Sequence, residues 1–265
     1  MSLGLPERAV HDKAAFDLLV ELNDSIGLAN LLLNRGESAW RENRADDAVD
    51  DFRMSSEYYQ RAGDVLGAAL ADNNVAEILT LQFRLDAAKT LLERARRVTQ
   101  AANYPMGAFA AMSGLSRIAA WQGDVRAALD QQQAALDGFT EIKADELVVD
   151  SLARLTEIHV LAGDAAAALA AASSASAILA GLGDAAVVPA MLARLEARAL
   201  LLDGRADEAR VAFERALRLA NDDGFVYEVA LASMGLGRLD GDVARVSAAM
   251  AQLSELGVLA PPPGS

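Results

Sequence analysis

Small and apolar residues recur along the chain at the three-and-four spacing of helices, broken at short intervals by polar turns, and no stretch shows the strict alternation of a β-strand. One motif organises the pattern: a turn residue, an alanine five positions on, an often bulky residue four later, and a small residue three after that. It occurs as Asn43, Ala48, Phe52, Ser55; Phe83, Ala88, Leu92, Ala95; and Gly123, Ala128, Gln132, Ala135. It returns as Gly163, Ala168, Ala172, Ala175 and as Gly204, Ala209, Phe213, Ala216. The central alanines stand 40, 40, 40 and 41 residues apart, with the turn residues in phase. Single matches mean little in an alanine-rich chain, but a fixed period does.

Each period reads as two helices. Asn43-Arg-Ala-Asp-Asp, Gly123-Asp-Val-Arg and Gly204-Arg-Ala-Asp-Glu combine a helix stop with acidic residues suited to the next first turn. This places A helices near 25–42, 65–82, 105–122, 146–162 and 185–203, and B helices near 45–61, 85–102, 125–141, 165–180 and 206–220. A lone helix, either a cap or half a repeat, occupies 7–24, and the five repeats span 25–220. A degenerate capping hairpin follows over 221–257, with Val246 in its alanine slot, and 258–265 is expected to be a disordered tail.

Two helices approach closely only where one presents little side chain, and the bulkier residue then fills the space between hairpins. In this the sets resemble tetratricopeptide repeats, whose usual period is about 34 residues, against about 40–47 for HEAT and armadillo repeats. Gly36, twelve residues before Ala48, and Phe52 and Phe213 in the aromatic slots favour the tetratricopeptide reading. The longer period resembles the kinesin light chain variety. The expected fold is therefore all-α, a right-handed α-solenoid of five to six such hairpins.

Composition narrows the function. With 24 Lys and Arg against 38 Asp and Glu, the net charge of −14 argues against a general binder of nucleic acid or anionic membrane. Cysteine is absent, which removes disulfides, thiolate nucleophiles and thiolate metal sites and fits a reducing cytoplasm. The start, Met1 to Asp12, lacks the basic and apolar runs of a secretory signal. Ala165 to Gly183 is uncharged but too poor in large apolar residues to span a bilayer.

Catalytic chemistry is hard to find. The two histidines, His11 and His159, lie far apart, and His159 reads as a core or hydrogen-bonded residue. There is no Walker phosphate loop and no Gly-x-Ser-x-Gly elbow. Gly181-Leu-Gly183-Asp-Ala-Ala186 nominally matches a dinucleotide fingerprint, yet it sits between helices with no strand before it. No metal or cofactor is expected.

Longer phrases carry a further resemblance. Gly27-Leu-Ala-Asn-Leu-Leu-Leu-Asn34, the run Tyr59 to Ile78, Arg84-Leu-Asp-Ala-Ala88, Ala101-Ala-Asn-Tyr-Pro-Met-Gly107 and Tyr227-Glu-Val-Ala-Leu231 are the carriers. They resemble the carboxy-terminal tetratricopeptide region of actinobacterial class III adenylate/guanylate cyclases and related ATPase-containing regulators. That resemblance implies a non-catalytic regulatory or scaffolding module, standing alone or belonging to a longer polypeptide. The alternative is a ligand- or peptide-sensing domain of a bacterial regulator.

The repeat register also proposes a binding surface. Concave-face slots hold Asn30, Asn34, Glu37, Asn73, Asn74 and Glu77 in the first two repeats, amides and acids suited to a peptide backbone. In the third to fifth repeats they hold Arg117, Arg154, Arg194 and Arg198. These arginines either pair with acidic neighbours and solvent or form a stripe that docks an acidic segment. The expected partner is a protein or peptide, without nucleic acid or membrane.

Overall fold

A computed structural model describes the chain over residues 5–182 and 188–265. It contains thirteen helices and no strand among the described residues. A first helix, α1 (Leu5–Glu21), precedes the hairpins α2 (Ser25–Arg41) with α3 (Ala45–Arg61) and α4 (Val65–Leu81) with α5 (Leu85–Ala101). Next come α6 (Pro105–Trp121) with α7 (Val125–Glu141) and α8 (Asp145–Ala162) with α9 (Ala165–Leu179). The array ends with α10 (Val188–Leu202) and α11 (Ala206–Asp222), then α12 (Val226–Asp240) and α13 (Val243–Glu255). The nominal dinucleotide fingerprint, from Gly183 on, and the expected start of the fifth A helix at 185 lie outside the described residues. No described helix is long and apolar enough to cross a membrane.

The regularity comes from the turns. Asn23, Asn43, Gly63, Phe83, Asn103, Gly123, Lys143 and Gly163 follow one another every twenty residues, each in the left-handed region with φ between +52° and +89°. The residue after each turns its N–H back onto the helix just ended, as Arg44 does onto the Ala39 carbonyl at 2.9 Å. Asp24, Asp64, Asp124, Asp164 and Asp242 then cap the next helix, each accepting from the backbone N–H three residues on. Phe83 is the outlier, because a bulky side chain at positive φ costs on the order of 1–3 kcal/mol. Its ring stacks on Trp121 with centroids 5.8 Å apart, and that contact holds it in place.

Packing follows the repeat register. Ala48, Ala88, Ala128, Ala168 and Ala209 are wholly buried. A Cβ on Gly36 would lie 2.7 Å from the Phe52 ring, so the aromatic of the first repeat fills the space a glycine leaves. In the last hairpin the sizes are inverted: Val246 meets Gly237 on α12, where an added Cβ would stand 2.9 Å from Cγ2 of Val246. Ala249 and Leu253 supply the fully buried positions of α13.

The array also closes on itself. Asn43, between α2 and α3, donates from Nδ2 to the Gly224 carbonyl at 2.7 Å and accepts from Val226 N–H at 3.0 Å. Trp40 meets Phe225 edge to face at 5.6 Å. Behind this seam, Leu81, Trp121, Ile158, Phe225, Leu231 and Leu253 pack with Trp40, Phe83 and Val258 into one apolar plug. Helices from distant repeats thus share a core, which an open solenoid lacks. The final segment is not frayed: Pro262 and Ser265 are buried, and Leu259 N–H donates to the Gln82 carbonyl at 3.1 Å.

Candidate functional site

Beyond the plug the groove stays open. The A helices α4, α6 and α8 wall a hollow of about 240 Å³ with Leu92, Phe139 and Leu147 among its apolar lining. Its polar lining includes Asn73, Glu77, Arg117, Asp150 and Arg154. A second hollow of about 170 Å³, between α2 and α4, is lined by Glu37, Trp40, Arg41, Asn74 and Glu77. Glu77 borders both hollows. It accepts from Arg154 Nη2 at 3.0 Å, an ion pair reaching from α4 to α8, while Arg154 Nε bonds Asp150 at 2.7 Å. Asn73 Oδ1 is buried without a hydrogen-bond partner, and a buried orphan acceptor costs about 1–3 kcal/mol until a donor reaches it.

Under the larger hollow lies a layer of buried charge. Arg117 Nε sits 3.1 Å from Glu157, whose other oxygen accepts from Trp121 Nε1 at 3.2 Å. The Arg117 guanidinium also lies 4.8 Å from the Trp121 ring centroid. Arg194 grips Glu228 with two bonds of 2.6 and 3.0 Å. Among the described residues no carboxylate lies within salt-bridge distance of Arg198; its Nη2 donates to the Pro263 carbonyl at 3.1 Å and its Nη1 is buried without a partner among them. Three guanidiniums therefore share two carboxylates.

The electrostatics follow from that inequality. Burial opposes ionisation of Glu157, yet Arg117, Arg194, Arg198 and Arg154 together outweigh it and hold the carboxyl below its usual range. Burial also works against Arg194 and Arg154, but Glu228 for the first, and Asp150 and Glu77 for the second, push both above the ordinary arginine value. For Arg198, burial and then the neighbouring Arg194 pull it down to about 10. His159, half-buried near the end of α8, is lowered by burial against the opposing charge of Asp164.

The ten residues singled out from the register therefore separate. Asn73, Glu77, Arg117 and Arg154 line the larger hollow, and Glu37, Asn74 and Glu77 line the smaller. Asn30 accepts from Tyr59 Oη at 2.6 Å, and Asn34 is exposed on α2. Arg194 and Arg198 are buried in the charged layer, and three of the four arginines pair with acids, so they do not present a continuous basic stripe. The register missed Glu157, Glu228, Asp150 and Gln82. Glu157 had a signal: positions 37, 77, 117 and 157 share one slot and read Glu, Glu, Arg, Glu, a column of mixed sign. No group of three or more His, Asp or Glu suited to a metal occurs among the described residues.

Helical hairpins stacked with small residues at fixed slots and a groove lined by A helices define a tetratricopeptide-like solenoid. No protein-family model and no curated protein matches the sequence. Among solved structures, the chain is similar to a Rap protein complexed with competence and sporulation factor, at 14% identity and a TM-score of 0.73. That match covers 92% of this chain and 69% of the other. It is similar to the Rap conjugation gene regulator of the plasmid pLS20, solved in complex with the Phr* peptide, at 13% identity and a TM-score of 0.73, covering 93% and 66%. A kinesin light chain from Podosopora anserina with TPR-like repeats aligns at 14% identity and a TM-score of 0.50, over 72% of this chain and 94% of that one. At these identities the likeness establishes the fold.

Proposed function

We propose that the chain is a non-catalytic interaction module that binds an extended peptide or partner segment in the open groove between α4, α6 and α8. The observation that carries this reading is the orphaned Asn73 Oδ1 beside the Glu77–Arg154 bridge. A backbone N–H would satisfy the amide oxygen, and an acidic side chain of the partner would replace Glu77 on Arg154. Glu77 is half-exposed and Arg154 nearly buried, so the exchange frees the acid to solvent and keeps the guanidinium paired. The Rap regulator complexed with the Phr* peptide supports a peptide as the occupant. The cellular setting we propose is the cytoplasm, as the regulatory part of a signalling protein of the cyclase or ATPase-regulator kind.

The test is selection of peptides from a randomised library on the full chain, followed by titration of the selected peptides against Asn73→Leu and Arg154→Gln. Selected peptides should be enriched in Asp and Glu, bind in the micromolar range, and lose at least tenfold in affinity to either variant while helical circular dichroism is unchanged. Raised salt should weaken them further. Peptides that bind both folded variants as tightly as the wild type would refute the groove as the receptor surface.

A further inference from the structure

The segment Val258–Ser265 lies against the solenoid in a way that defines a second docking surface. Gln82, at the end of α4, fixes the entry to this segment at two points: its carbonyl accepts from Leu259 N–H at 3.1 Å and its Nε2 donates to the Leu256 carbonyl, just before the segment, at 3.1 Å. Arg198 Nη2 donates to the Pro263 carbonyl at 3.1 Å. Pro262 is buried, and Gly264 (φ +70°) passes so close to Arg198 that an added Cβ would collide with its guanidinium, and that Cβ would also stand 3.8 Å from Cδ2 of Leu161. Gln82 is 2% and Arg198 7% exposed, so both are built into the fold.

The chemistry of surface and occupant match. Three successive prolines, Pro261 to Pro263, offer carbonyl acceptors and no N–H, and their extended conformation is largely set before docking, which lowers the entropy lost. The surface answers with donors, one of them a buried guanidinium with no carboxylate in salt-bridge reach among the described residues and a second nitrogen still unpaired. Arg198 needs an oxygen from outside the helical array, and the tail supplies it.

We propose that Gln82, Leu161 and Arg198 form a docking surface for an extended proline-rich segment with glycine after the last proline, and that residues 258–265 occupy it in cis and compete with such a segment from a partner. None of these three residues lines the hollow walled by α4, α6 and α8, and the test does not depend on that groove. The probe is a fluorescein-labelled, amidated peptide of residues 258–265, titrated by anisotropy against the full chain. Pro262→Asp in the full chain should expel the tail. Because the chain has no cysteine, a dye on Leu259→Cys, a position 70% exposed, reports that release as a fall in anisotropy.

The peptide should bind the Pro262→Asp chain at least tenfold more tightly than the wild type, and adding Arg198→Met should remove the gain. A peptide carrying Gly264→Val should fail to bind the same Pro262→Asp chain; this arm alters only the peptide and so holds even if Arg198→Met unfolds. A tail that is mobile in the wild type, or that stays immobile in Pro262→Asp, would overturn the proposal. So would a released tail with no peptide binding at millimolar concentration, equal binding to wild type and variant, or equal binding of the valine peptide.

Discussion

Replacing Glu228 by glutamine removes one charge from the buried pair with Arg194 while keeping its shape. The two side chains are 2% and 4% exposed, their bonds are 2.6 and 3.0 Å long, and Arg198 already adds an unmatched positive charge nearby. Removing one partner of a buried pair costs about 3–5 kcal/mol, because the remaining ion stays in a medium that solvates it poorly. The upper half of that range applies here, since the variant leaves the neighbouring charges of Arg194 and Arg198 offset by Glu157, which already pairs with Arg117. At roughly 2–4 °C per kcal/mol for a chain of this size, the melting temperature should fall by about 8–20 °C. The paired replacement Arg194→Met with Glu228→Leu removes both charges, keeps similar volume and relieves the repulsion on Arg198. It should melt within about 3 °C of the wild type or above it. Both tryptophans, Trp40 and Trp121, belong to the central plug, so thermal unfolding by fluorescence and by circular dichroism reads plug and helices separately. If Glu228→Gln melts within 2 °C of the wild type, or the double variant is as unstable as the single one, the charged layer does not govern stability.

Ala128 is wholly buried and its carbonyl accepts from Ser116 Oγ at 2.8 Å, so Ala128→Arg should overpack a crossing and bury a charge, losing several kcal/mol by urea denaturation. Asn43→Ala should lose both closing bonds and leave alanine at φ +59°, costing about 1–3 kcal/mol and enlarging the radius of gyration by small-angle scattering. Asn103→Ala has a similar backbone penalty, at φ +52°, without the seam, and should leave the radius unchanged. Acid should act in two steps, because both relevant groups have lowered folded values. The His159 contribution is complete above 6.5 and lost as pH falls through its lower folded value; that of Glu157 is complete above 4.5 and lost further down. Urea midpoints measured from pH 3 to 8 should show both declines, with His159→Gln removing the upper one.

What was legible in the sequence was local. A left-handed turn residue marks a helix boundary wherever it stands, with a capping aspartate after it before α7 and without one before α3, so expectations such as 45–61 and 125–141 coincide with α3 and α7. The slot alanines were legible because each hairpin meets the same steric demand every forty residues. The seam was not, since Asn43 and Gly224 are each an ordinary turn residue and their pairing depends on curvature summed over the whole array. Glu228 escaped because the last hairpin departs from the period that located the arginines. The tail misled because proline-rich ends read as unanchored, and nothing near position 198 in the sequence shows that its guanidinium lacks an acid.

The seam between Asn43 and Gly224 also sets an order on synthesis. Its two halves are 181 residues apart, so a ribosome adding about 5–20 residues per second needs on the order of 10–40 s to deliver the second after the first. During that interval Trp40, and the plug residues that depend on α12 and α13, wait beside a nascent chain that cannot yet cover them. The early hairpins can stack as they emerge, but the closed form is reached only as α12 and α13 leave the tunnel. A chain stalled before α12 therefore presents an unfinished apolar surface to chaperones and proteases, and quality control can distinguish a closed array from an unclosed one by the state of a single seam.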